Sequence, residues 1–235
     1  MEDRIGELKA ATPEQVAVVQ QSFLNKVFGW MFLGLLVTAA VAAYFSQTLD
    51  MQQFVEDNPY IFFGAIIGQL VLVFVLVGAV AAMSPAVAGL VFLLYSGLTG
   101  FVFSMIVSAY TPGSIASTFA ITAGMFGAMA LFGFVTKRDL TSLGSILFMA
   151  LIGFIIASIV NIIWFNETIY WILTGIGIVI FCGLTAWDMQ KLKQMSTQAM
   201  DDDTADKAAI VGALSLYLDF INLFLLLLRI FGRSR

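Results

Sequence analysis

The residue in this chain best placed to do chemistry is an aspartate inside an apolar run, Asp219 in Leu216-Tyr217-Leu218-Asp219-Phe220-Ile221-Asn222-Leu223-Phe224. The nearest charges in sequence are Lys207 and Arg229. A carboxylate in hydrocarbon costs about 3 kcal/mol on insertion scales, and a neutral asparagine would serve a purely structural role with a smaller penalty. Asp188, in Leu184-Thr185-Ala186-Trp187-Asp188-Met189-Gln190-Lys191, closes an earlier apolar run. Alone it reads as an interfacial carboxylate partnered by Lys191 or Lys193. Brought beside Asp219 it changes character. Two close carboxylates do not both ionise easily, so they share a proton and titrate as a unit. Such a pair is a proton-sensitive latch, and its oxygens also suit a hard cation such as calcium.

Around this pair stand a few supporting polar residues. Asn222 lies one turn from Asp219 on the same helical face and is expected to order it. Gln69 and Asn161 read as mid-membrane polar groups, suited to interhelical hydrogen bonds or to a cavity wall. Arg229 sits at the end of the last apolar run.

Positioning such residues falls to helices in a bilayer. The 235 residues are 60% hydrophobic and 11% charged, where soluble domains carry about 25% charge. Seven apolar segments, at roughly 27–46, 60–82, 86–109, 114–135, 142–164, 169–188 and 208–231, are each long enough to cross ~30 Å of hydrocarbon. Backbone groups in lipid must be satisfied locally, which makes every segment a helix. The expected fold is all-α and polytopic: a polar arm over 1–26, with a helix start at Thr12-Pro13-Glu14-Gln15, then one seven-helix domain over 27–235.

Composition also excludes. With no histidine, the commonest metal ligand is missing and no histidine triad exists. The single cysteine, Cys182, forbids an internal disulfide and reads as a small buried hydrophobe. There is no phosphate-binding loop, dinucleotide fingerprint or nucleophile elbow. We therefore expect no enzyme, no bound cofactor and no nucleic-acid partner, with the bilayer as the chain's surroundings. Lysine and arginine set the orientation. Arg4, Lys9, Lys26, Lys137, Arg138, Lys191, Lys193 and Lys207 fall on one side, and Arg229, Arg233 and Arg235 on the other. Eight against three places the N-terminus in the cytoplasm and the C-terminus outside; a re-entrant last segment would return the tail.

The last two segments resemble the Bax inhibitor-1 family of membrane proteins, also called the transmembrane Bax inhibitor motif family. The likeness is carried by Gly183-Leu184-Thr185-Ala186-Trp187-Asp188-Met189-Gln190-Lys191-Leu192-Lys193 and by Ala213-Leu214-Ser215-Leu216-Tyr217-Leu218-Asp219-Phe220-Ile221-Asn222-Leu223-Phe224, continuing to Gly232. It extends more loosely from about residue 20 onward, and looks closest to bacterial inner-membrane members. The resemblance implies a seven-helix fold with the last helix central and surrounded. It implies that Asp188 and Asp219 form a hydrogen-bonded pH-sensing pair, and that the activity is a pH-sensitive calcium leak. It also implies a second role, modulation of a membrane-bound protease, for which the 1–26 arm and the 189–207 loop are the natural contact surfaces. Two features depart from that pattern: Gln69 stands where some members carry an acidic residue, and Ala81-Ala82-Met83-Ser84 replaces a basic cluster.

Overall fold

The computed structural model describes residues 12–197 and 201–234. The first eleven residues of the arm, with Arg4 and Lys9, and the final Arg235 lie outside the described residues. Among the described residues there are seven long apolar helices, with a short eighth between the first two. They are α1 Pro13–Thr48, α2 Met51–Asp57, α3 Pro59–Ala79, α4 Pro85–Ala109, α5 Pro112–Val135, α6 Thr141–Ile163, α7 Glu167–Met195 and α8 Asp202–Phe231.

Local chemistry sets the helix starts. Thr12 accepts the Gln15 N–H while the Gln15 side chain accepts the Thr12 N–H at 2.8 Å, a reciprocal capping box with Pro13 at the first helical position. Pro59, Pro85 and Pro112 likewise open α3, α4 and α5, where a missing N–H costs nothing. Asp50 caps α2 by accepting from Gln52 and Gln53. The first helix begins well before the apolar segment at 27, because residues 13–26 are helical but polar. α7 also continues past Asp188 to Met195, so Asp188 lies inside the helix rather than closing it.

The spans differ in enclosure. Over its apolar window α8 is 72% buried, against 6% for α3 and 11% for α6. Phe74 on α3 and Ile162 on α6 are 75% and 81% exposed. Such large apolar side chains facing outward require lipid around them. α8 is one unbroken helix of 30 residues, about 45 Å long, which is enough to cross the bilayer fully.

The chain gathers into two compact units. The first comprises the chain up to Tyr110 together with 192–217. In it α1 packs on α4, closely enough that a Cβ on Gly100 would meet the Thr38 carbonyl. Tyr217, on the first half of α8, sits edge-on to Phe92 and Tyr95 at 5.8 and 5.7 Å. On the polar rim of this unit, Lys26 is paired with Asp206, and Gln20 donates to the Lys193 carbonyl. The second unit comprises 111–191 and 218–234. There Phe220 of α8 packs against Phe119 and Phe126 of α5 at 5.2 and 5.5 Å.

Candidate functional site

Asp188 on α7 and Asp219 on α8 both belong to the second unit. Asp219 is only 4% exposed, and its Oδ2 is buried with no hydrogen-bond partner among the described residues. Asp188 is half-buried, and the two carboxylates are close enough to interact electrostatically. Lys191, one turn along α7, acts on Asp188 electrostatically and lies over the Trp187 ring at 5.5 Å. The half-buried Cys182 thiol also lies within electrostatic range of Asp219. Chemically this is a pair of acids, one enclosed and one nearer to water, with Lys191 beside the outer member.

Glycine lets α7 come near enough to α5 and α6 to hold Asp188. Gly133 of α5 lies against the Ala186 carbonyl, and Gly144 of α6 against the Trp187 indole; a Cβ at either position would clash. The loop beyond α5 is then locked to α7 by Gln190. Its Oε1 accepts the Leu140 N–H at 2.8 Å and its Nε2 donates to the Arg138 carbonyl at 2.9 Å. Gln190 is buried and was not a candidate from sequence; its only signal there is its place two residues after Asp188.

The supporting residues divide. Asn222 donates to the Leu218 carbonyl of its own helix at 2.8 Å, so its amide is spent on the backbone one turn back. Gln69 belongs to the first unit, where it accepts from the Thr99 hydroxyl at 3.1 Å, an interhelical bond between α3 and α4. Asn161 is not mid-membrane: it lies in the last turn of α6 and accepts the Asn166 N–H at 3.0 Å, closing the turn into α7. Arg229 is exposed near the end of α8, with its guanidinium 5.0 Å from the Tyr170 ring centre. A buried hydroxyl cluster in the first unit went unread in the sequence. Thr38 Oγ1 donates to the Gly34 or Ser96 carbonyl at 3.0 Å and meets Tyr217 Oη at 2.6 Å. With its one proton committed to a carbonyl, Thr38 accepts, and Tyr217 is the donor.

Seven helices long and apolar enough to span a bilayer, the last two carrying an interacting pair of aspartates, define a polytopic helical membrane protein. A family model described as inhibitor of apoptosis-promoting Bax1 matches residues 20–235. The inner membrane protein YbhL of Escherichia coli is 49% identical over 230 residues, covering 95% of this chain and 98% of that protein. An uncharacterized protein of Borreliella burgdorferi is 43% identical over 223 residues, 94% of this chain and 96% of its own. The chain belongs to the Bax inhibitor-1 family.

Proposed function

We propose that this protein is a calcium-permeable leak of a bacterial inner membrane, gated by Asp188 and Asp219 and not an enzyme. The observation that carries this reading is the enclosure of Asp219, with an unpartnered carboxylate oxygen, beside a second carboxylate. A lone structural acid would be better served by hydrogen bonds. Sharing a proton, the pair is neutral enough to stay packed and the pathway stays closed. Losing it leaves two like charges in a low dielectric, which repel one another or draw in a cation. α8 is the element that repulsion would move. Lys191 moderates the charge on Asp188. In this reading calcium is the cargo, passing the two carboxylates. The inner-membrane location follows from the name of the Escherichia coli relative, and the N-terminus-inside orientation from the eight-to-three distribution of basic residues.

The test is calcium entry into dye-loaded proteoliposomes at about pH 6 and about pH 8, two conditions that differ in the supply of protons to the pair. We expect flux to rise with pH in the wild type and to lose that dependence in Asp219→Asn. Flux no greater than in empty liposomes, from folded protein, would overturn the leak and favour a role in modulating a membrane partner.

A further inference from the structure

The second unit also gathers cations. Lys137 and Arg138 stand in the short connection between α5 and α6, and Lys191 stands on α7; all three are exposed. Gln190 brings the two segments together. From the position next to Lys191, its side chain holds the Arg138 carbonyl at 2.9 Å and the Leu140 N–H at 2.8 Å. Lys191 itself lies 5.5 Å over the Trp187 ring, and that ring lies against Gly144 in the first turns of α6. The lysine is therefore on the side of α7 that meets the start of α6.

The surface that carries these cations is fixed. The Arg138 N–H donates to Thr136 Oγ1 at 3.3 Å, and the Thr141 N–H to Asp139 Oδ1 at 2.9 Å. With the two Gln190 bonds, the main chain from Arg138 to Thr141 is tied at every residue but Asp139, whose side chain makes one of the ties. A ligand that binds here has little loop entropy to overcome. The charge is not balanced within the protein. Neither Lys137 nor Arg138 has an ion-pair partner among the described residues. Lys191 is shared with Asp188, and Asp139, the acid of this loop, has its carboxyl engaged by Thr141. Cations gathered on one surface repel one another and attract an anion. Beside them the surface turns apolar: Leu131 and Val135 at the end of α5, and Leu143 and Ile146 in the first two turns of α6, are all exposed. Such side chains need hydrocarbon around them.

We propose that Lys137, Arg138 and Lys191 hold the phosphate of an anionic phospholipid, whose acyl chains lie along Val135 and Leu143. Arg138 serves the phosphate as a planar fork that donates two hydrogen bonds at once, and the lysines serve it as point charges. Basic pockets between transmembrane helices recognise headgroups in this way. A zwitterionic lipid brings its own cation beside the phosphate and gains less from the same three residues. A soluble anion would meet the cations but gain nothing from the apolar wall next to them, so the two features together select a lipid. This site does not depend on the leak reading above.

The test counts lipids on the full-length protein by native mass spectrometry in a neutral detergent, with phosphatidylglycerol or phosphatidylcholine titrated in. We expect a tight site for phosphatidylglycerol that phosphatidylcholine does not fill. Arg138→Gln should weaken it about fivefold, and Lys137→Gln with Arg138→Gln about twenty-five-fold, at the worth of one basic residue each near an anionic headgroup. Arg138→Lys, which keeps the charge and loses the fork, should fall between wild type and Arg138→Gln. Both positions are exposed and Gln190 bonds the main chain of Arg138, so thermal melts without lipid should match the wild type. Arg229→Gln should leave the site as it is, since Arg229 lies over Tyr170 at the opposite end of α7 from Lys191. Phosphatidylglycerol binding no tighter than phosphatidylcholine, or undiminished in the double variant, would overturn the site. Inorganic phosphate or a short glutamate peptide that displaces phosphatidylglycerol at equal concentration would assign the cations to a soluble anion and overturn the lipid.

Discussion

Gly133 of α5 lies with its bare Cα against the carbonyl of Ala186, two residues before Asp188 on α7. The position of the half-buried acid is therefore set by the closeness of two backbones. Any side chain at 133 pushes α7 outward and carries Asp188 with it. Gly133→Ala should destabilise the protein by about 1–3 kcal/mol, as overpacking does. It should also weaken the pH dependence of flux, whereas Gly124→Ala on the same helix, where a Cβ meets nothing, should do neither. Thermal unfolding in detergent beside liposome flux would check both.

Gln190 satisfies two backbone groups of the α5–α6 loop at once. Truncating it leaves the N–H of Leu140, a residue only 6% exposed, without its acceptor. Gln190→Ala should cost about 1–3 kcal/mol. Gln190→Glu, which keeps an acceptor for Leu140 but sets a carboxylate oxygen against the Arg138 carbonyl, should cost more. If it melts no lower than Gln190→Ala, the bond to Arg138 is not the important one.

Removing the Tyr217 hydroxyl deprives Thr38 of its donor but leaves Thr38 its own carbonyl partners. Tyr217→Phe should therefore lower stability by about 1 kcal/mol. The ring contacts with Phe92 and Tyr95 are kept, so Tyr217→Ala should cost about 3–5 kcal/mol. Equal losses in the two variants would show that the hydroxyl, not the ring, holds this core together.

Outside the bilayer, Asp139 accepts the Thr141 N–H at 2.9 Å at the start of α6. The Thr141 hydroxyl and N–H together hold the Asp139 carboxyl below the usual carboxylate range. A value lowered in the folded state means a stabilising contribution that is full above the ordinary carboxylate pKa of about 4. It is lost as pH falls through the lower folded value. Amide exchange at the start of α6, corrected for intrinsic rates, should therefore quicken below about pH 4 in the wild type. In Asp139→Ala it should be quick at every pH.

Most of the architecture was legible without a structure, for one physical reason. Lipid offers the backbone no hydrogen bonds, so an apolar run of sufficient length has one solution. Proline at 59, 85 and 112 then marks the starts of the helices. The misreadings share a cause as well. Hydropathy reports residence in hydrocarbon, not helicity, so it missed the last turns of α7 around Gln190 and the capped helix at Met51–Asp57, whereas the capping signal at Thr12 gave the start of α1. Asn161 read as mid-membrane because its neighbours are apolar, yet it closes the turn into α7.

Sequence by itself determined the seven crossings, the family, and Asp219 as the acid whose placement demands an explanation, because a charge in an apolar run is visible in one dimension. The resemblance supplied Asp188 as its partner. Only the tertiary structure decided which hydroxyls and amides are enclosed, which of them are paired, and which carbonyls are already taken. Thr118 and Thr122 look alike in the sequence, and one bonds its own helix while the other has nothing to bond. That difference arises from lone pairs already occupied and side chains brought together across helices, which no order of residues along one chain records.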